Sequence, residues 1–342
     1  MNRLTRTLLS VLCVLLILAL PFVVSSPNLL GEAKWELLDE MEDTAGWLVT
    51  SAKAEEELTL TEEAPEGFEP TEGAPVYELP IDFTPGCVPD PAGFSEDGYV
   101  DDSISVKLET REENGVIWRI AWVVISSPTQ LRTATAGKLT GSATALVSSM
   151  AEKNNAIVAM NADYYSNDPA KTTFEYRMGQ KIRNKTNQKK DMLLIDEAGD
   201  FHIVLAQQRD SQQAELDAVA AEHEIINAFT FGPALVKGGE LIQVSKDYGY
   251  NPTGREPRSA FGQTGYLSYV MVIAEGRGES KGATHQELAD FMYSLGCKDA
   301  FNFDGGGSAT LVFNGEVVNA LGGSPRVQSD IIYFATSVPA ED

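Results

Sequence analysis

The chain has 342 residues, 43% of them hydrophobic, with a formal net charge of -24, and that length allows one large or two smaller domains with an ample core. Residues 27–113 carry 24 acids against 4 bases, whereas residues 114–342 carry 26 against 20. No basic stripe exists to neutralise a phosphate backbone, which excludes nucleic acid as a partner.

Leu8 to Val24 is apolar but for Ser10 and follows Arg3 and Arg6. That pattern is a secretory signal or an uncleaved signal anchor, and its basic residues keep the N-terminus inside. Val24-Ser25-Ser26 followed by Pro27 is a poor cleavage site, which favours an anchor. Residues 27–98 read as an acidic, Pro- and Glu-rich stalk with too few large apolar side chains to bury much surface. Within it, Glu32 to Val49 has the spacing of a short helix. The bulk of the chain is therefore expected outside the cytoplasm, tethered or secreted. Cys13 lies in the apolar run, which leaves Cys87 and Cys297 either paired or separately free.

Residues 99–342 read as the folded domain. Ser103 to Thr110 alternates with period two, and Val116 to Ser126 is a more continuously apolar strand beyond an Asn114-Gly115 hairpin signal. Gly141 to Asn154 has helical spacing, and Ala156 to Met160 is a short buried strand that empties into Asn161-Ala162-Asp163-Tyr164-Tyr165. Met192 to Asp196 and Phe201 to Leu205 form a hairpin, followed by a polar helix from Gln212 to His223. Strands recur at Ala228 to Phe231, Ser259 to Gly262 and Ser268 to Ala274.

A helix from Thr284 to Leu295 carries a Thr284/Glu287 capping box, an apolar stripe and a Gly296 stop. Phe301-Asn302-Phe303, Leu311 to Phe313, Val317-Val318 and Ile331 to Phe334 complete the strands. Many strands with few helices, joined partly by hairpins and partly by crossovers, imply an α+β fold: a mixed β-sheet domain with flanking helices.

Asn302-Phe303-Asp304-Gly305-Gly306-Gly307-Ser308 is the most informative stretch. Three consecutive glycines cost backbone entropy and need a reason, such as positive φ or close approach of bare backbone to a ligand. One carboxylate, one amide and one hydroxyl around exposed N–H groups would suit an anion. The loop lacks the lysine of a nucleotide phosphate loop and the alternating acids of a calcium loop. A divalent metal could be held by Asp304 and Asp163, but nothing demands one, and no Cys/His spacing suggests zinc. His202 and His223 read as structural or solvated, and His285 lies in the first turn of its helix, where a charged imidazolium opposes the dipole.

Four further segments share the style of a short strand running into polar or glycine-rich residues. In chain order the set runs Asn161-x-x-Tyr164-Tyr165, Phe231-Gly232-Pro233-x-Leu235, Pro257-Arg258-Ser259-Ala260-x-Gly262 and Glu275-Gly276-Arg277. It continues with Leu295-Gly296 leading to Asn302-x-Asp304-Gly305-Gly306-Gly307-Ser308, and ends at Pro325-Arg326-Val327. This ordered series resembles the phosphodiester glycosidase family over about residues 99–336. The resemblance implies hydrolysis of the bond between a sugar's anomeric carbon and a phosphodiester, in cell-surface or exopolysaccharide-type substrates.

On that basis Asp304 and Glu275 are the candidate catalytic carboxylates. Arg258, Arg277 and Arg326 are candidates to hold phosphate, with the Gly305, Gly306 and Gly307 amides and the Ser308 hydroxyl adding donors. Asn161 and Asn302 would orient the sugar. The family's acid-Gly-Arg motif is most often Asp-Gly-Arg, so the extra methylene of Glu275 moves its carboxylate by about one bond length. No cofactor is implied, and no protein partner is identifiable. The alternative is a non-catalytic surface-polymer binding or scaffold protein using the same anion-binding loop.

Overall fold

The structure, a computed structural model, describes residues 83–139, 141–163, 173–321 and 323–338. The Leu8–Val24 segment, the stalk up to residue 82 and the Tyr164-Tyr165 pair lie outside the described residues. No helix among the described residues is long and apolar enough to cross a membrane.

In chain order the first strands are β1 (Gly98–Val100), β2 (Ile104–Glu113), β3 (Val116–Ile125), β4 (Leu131–Thr135) and β5 (Val158–Asn161), with helix α1 (Val147–Lys153) before β5. Then come β6 (Phe174–Arg177), β7 (Gln180–Asn184), β8 (Met192–Asp196), β9 (Phe201–Val204), helix α2 (Arg209–Glu222) and β10 (Ile225–Phe229). After β11 (Ala234–Lys237) and β12 (Glu240–Leu241) the long pair β13 (Arg258–Gly265) and β14 (Ser268–Ala274) leads to helix α3 (His285–Ser294). The chain closes with β15 (Asp299–Phe303), β16 (Leu311–Phe313), β17 (Glu316–Val317) and β18 (Asp330–Phe334).

These strands form three sheets among the described residues. The largest runs β1-β2-β3-β14-β13-β15-β11-β12, and two five-stranded sheets run β7-β6-β10-β8-β9 and β17-β16-β5-β18-β4. The fold is sheet-rich with few helices, and hairpins and crossovers both occur as expected. The strand pairs themselves are all antiparallel among the described residues, because each crossover returns its strand in the opposite sense.

One face of the large sheet (Val123, Phe261, Tyr269, Met271, Phe301 and Phe303) packs against both smaller sheets in a single apolar core. Its other face meets α3 through Trp118, Val272, Leu288, Phe291 and Met292. The outer faces of the smaller sheets are covered by α1 and α2. Sheets buried on both faces explain why most strands read as apolar runs rather than alternations.

Local sequence accounts for the best-read elements. Asn114 (φ 53°) and Gly115 (φ 75°) turn the chain from Glu113 to Val116, as a two-residue primed hairpin requires. Thr284 and Glu287 cap α3 reciprocally, and Gly296 leaves it at φ 76°. Helix α1 starts at Val147, later than the pattern from Gly141 suggests, because Ala145 bridges to Gln328 and draws the preceding chain into extended backbone. The β6–β7 hairpin is invisible to periodicity, because Glu175 and Arg177 of β6 are buried charges. Cys87 and Cys297 are free thiols, the latter buried.

Candidate active site

Each of the three glycines after β15 admits a particular neighbour. A side chain at Gly305 would place its Cβ 2.5 Å from the Pro257 carbonyl oxygen, so only bare backbone can lie against the start of β13. Gly306 adopts φ 59°, and a Cβ there would lie 3.3 Å from Nη2 of Arg277. The equivalent atom at Gly307 would lie 3.4 Å from Nη2 of Arg326. The expected nest of free amides is therefore corrected in part. The Gly306 N–H donates to the Pro257 carbonyl at 2.7 Å and the Ser308 N–H to the Gly305 carbonyl at 3.0 Å. What the glycines bring to the loop is two guanidinium groups.

Asn161, at the end of β5, holds this loop from below. Its Nδ2 donates to the Asp304 carbonyl at 2.6 Å, and its Oδ1 accepts from the Thr310 N–H and the Ser259 hydroxyl at 3.0 and 3.1 Å. Fully buried and bonded at both ends, it builds the loop rather than facing a sugar, which corrects the expected role. Asn302 is also buried. Its Nδ2 donates to the Gly232 carbonyl at 2.8 Å, while its Oδ1 has no partner among the described residues.

Arg258 is the clearest correction. All five of its N–H groups are engaged within the protein: Nε by the Ala283 carbonyl, Nη1 by the Tyr250 carbonyl and His285 Nε2, and Nη2 by the Asn251 and Gly254 carbonyls. It is 4% exposed, and burial, only partly opposed by the charge of Glu256, lowers its pKa to about 10. None of these donors remains for a phosphate. Because arginine cannot accept, His285 must accept through Nε2 and is neutral, its pKa pushed down to about 3 by burial and then by Arg258. Arg258 instead fixes the 250–254 turn, which displays Tyr250.

Tyr250 is half exposed and stacks on Phe231, with centroids 4.4 Å apart and planes 3° from parallel. The Lys190 ammonium lies 3.6 Å from the Tyr250 ring centroid, a cation–π contact. Burial and then the charges of Asp304 and Asp163 raise the Tyr250 hydroxyl pKa.

Glu275 is buried and bonded within the protein. Its Oε1 accepts from Arg119 Nε at 2.7 Å and from the Ala320 N–H at 2.8 Å, so it anchors the loop after β17. Arg277, held at φ 62°, pairs with Glu256 through Nη2 at 2.6 Å and remains well exposed at the loop rim. Arg326 donates through Nη1 to the Ser308 hydroxyl at 3.2 Å. Asp304 has its carboxyl raised chiefly by burial and also by Asp163, against the pull of Ser308, Arg326 and the Gly305 N–H. The structure thus gathers Asp304, Ser308, Arg326 and Arg277 around the 304–308 loop and engages Arg258, Glu275 and Asn161 in hydrogen bonds within the protein.

Asp163, considered from sequence only as a metal ligand, belongs to this site. Its Oδ2 accepts from the Thr230 N–H at 3.0 Å, and Oδ1 is bonded by Arg177. Arg177 is fully buried, bonds Asp330 at 2.6 Å and lies 4.2 Å from the Phe229 ring centroid. The surrounding acids hold its guanidinium firmly charged. Burial pushes Asp330 upward against the pull of Arg177. Position after Asn161 was a sequence signal for Asp163; Arg177 had none.

A family model described as phosphodiester glycosidase matches residues 154–335, more than half of the chain. The chain belongs to the phosphodiester glycosidase family. The matched span contains every candidate residue named above. Among curated proteins, an uncharacterized prophage-derived protein of Bacillus subtilis, YomE, is 30% identical over 118 residues, covering 34% of this chain and 18% of YomE. The match thus spans under a fifth of that relative's length. Among solved structures, the catalytic domain of zebrafish N-acetylglucosamine-1-phosphodiester alpha-N-acetylglucosaminidase, auto-inhibited by its pro-peptide, aligns with a TM-score of 0.54 at 16% identity. That alignment covers 68% of this chain and 83% of the zebrafish one, and it shows the phosphodiester glycosidase fold.

Proposed function

We propose that this chain hydrolyses the bond between a sugar's anomeric carbon and a phosphodiester, with Asp304 as the base that activates water. The observation that carries this reading is the glycine loop that sets Arg277 and Arg326 around Asp304 and Ser308, with Arg326 Nη1 3.2 Å from the Ser308 hydroxyl; burial raises the Asp304 carboxyl in that setting. A carboxylate lifted above its ordinary range is the better proton acceptor near neutral pH. In the proposed step the water oxygen bonds to the anomeric carbon as the carbon–oxygen bond to phosphate breaks. The phosphomonoester leaves with the bonding electrons, and the water's proton passes to Asp304.

A phosphate leaving group is a weak base and gains little from a proton donor. It needs neutralisation of the charge that builds on its oxygens. Arg326 and Arg277 supply that in this proposal, since guanidinium forks match phosphate oxygens in pairs. Tyr250, half exposed and parallel to Phe231, offers a flat face for the sugar ring. The apolar Leu8–Val24 run and the acidic stretch after it support an extracytoplasmic, membrane-held enzyme acting on cell-surface or exopolysaccharide phosphodiesters.

The test is incubation of the full chain with a panel of sugar-1-phosphate diesters, with product anomers followed by NMR. Asp304→Asn is expected to lose about 10²–10⁴-fold in turnover, the range for a lost acid–base group. The raised carboxyl stabilises the fold below the ordinary carboxylate pKa, and that contribution is lost as pH climbs through the raised value. The amide does not titrate, so the variant should melt no lower than wild type at neutral pH. Undiminished turnover would remove Asp304 from the mechanism. Polymer bound without release of reducing sugar would favour a binding module.

A further inference from the structure

Outside the Asp304 site, two of the chain's three histidines converge on one buried carboxylate. Asp196 ends β8 and is almost fully buried. Its Oδ1 accepts from the Ala198 and Asp200 N–H groups, both at 2.9 Å, which locks the carboxyl within the β8–β9 turn. The remaining oxygen, Oδ2, faces His202 Nε2 at 2.8 Å and His223 Nδ1 at 3.0 Å. His202 lies on β9 and His223 caps α2, so three elements meet here. The two imidazoles lie with centroids 4.5 Å apart, and each is about a quarter to a third exposed.

We propose that Asp196, His202 and His223 form a binding site for a divalent transition-metal ion of the zinc class. The three ligand atoms all lie within 4.8 Å of one another. Zinc held at about 2.0–2.2 Å sets tetrahedral ligand atoms roughly 3.3 Å apart, close to the 2.8 and 3.0 Å that separate Asp196 Oδ2 from the two imidazole nitrogens. Two imidazoles and one carboxylate are a donor set that suits such ions and leaves a coordination position for water. Each imidazole would bind through the nitrogen that now faces Asp196, with its proton shifting to the other ring nitrogen or to solvent. The partly exposed rings leave a path for the ion to enter, while the turn amides orient the carboxylate in advance.

Nothing in the spacing of these residues along the chain announces the site, because hairpin and helix end come together only in the fold. An ion there would clamp the β8–β9 hairpin to the end of α2. None of its ligands belongs to the Asp304 loop, so the proposal stands apart from the proposed hydrolysis.

The experiment is titration of the full chain with zinc chloride, followed through histidine ring signals in NMR and by calorimetry. One equivalent is expected to move two of the three histidine ring systems and leave the third, the neutral His285 held by Arg258, in place. Cobalt(II) should give visible absorption bands of an N/O-ligated ion. His202→Ala and His223→Ala, both at partly exposed positions, should each weaken that equivalent at least about tenfold. Acidic residues 27–113 provide weak background binding that the variants retain. Unmoved histidine signals in the wild-type protein, or equal affinity in wild type and both variants, would overturn the proposal; the first of these does not depend on any variant folding.

Discussion

The two sides of the Asp304 loop use arginine in opposite ways. On the inner side, Arg177 and Arg258 are buried and engaged by the protein, one by carboxylates and the other by carbonyls and an imidazole. On the outer side, Arg277 and Arg326 rest against bare glycines at the rim and keep much of their surface in solvent. A buried guanidinium must have its donors satisfied and so becomes architecture, whereas a rim guanidinium can exchange water for a ligand's oxygens. Burial, rather than residue type, separates scaffold from site.

That contrast can be broken from the inside first. Arg177→Ala leaves Asp163, Asp330 and Glu175 as buried acids without their shared cation, and should cost about 3–5 kcal/mol of stability. Urea or thermal unfolding checks it; a variant of unchanged stability would deny the inner side its architectural role. On the outer side, Arg326→Ala should leave the melting temperature nearly unchanged while kcat/KM for a sugar-1-phosphodiester falls by about 30- to 100-fold, or roughly 2–3 kcal/mol of transition-state stabilisation. Arg277→Ala should follow the same pattern with a smaller loss, about tenfold or less, because Glu256 already pairs with it in an exposed setting. A large stability loss in either rim variant would erase the distinction.

Much of the fold was legible because local chemistry and tertiary packing agree where it was read well. The Asn114-Gly115 turn, the Thr284/Glu287 cap and the β13–β14 pair each carry their own signal. The β6–β7 hairpin was not legible, since Glu175 and Arg177 look like surface residues until Asp163 and Asp330 arrive from distant strands. The site divides along the same line. The loop from Asp304 to Ser308 was readable because glycine, charge and hydroxyl sit together in sequence, whereas Arg277 and Arg326 entered only through the family resemblance. Motif position says nothing about which partners a side chain meets. For Arg258 those partners are four carbonyls and His285; for Glu275 they are Arg119 and the Ala320 amide. Only the fold lays the Tyr250 ring along Phe231.

The proposed role of Asp304 as base rests on its electrostatic setting, and the pH dependence of kcat/KM in wild type and Arg326→Ala measures that setting. Activity should rise with pH along a limb set above the ordinary aspartate range of about 4, since burial raises this carboxyl and its ionised form does the work. Arg326 pulls that pKa down, so its removal should carry the limb to still higher pH. A wild-type limb at the ordinary aspartate value, or one that stays put or moves to lower pH in Arg326→Ala, would contradict it.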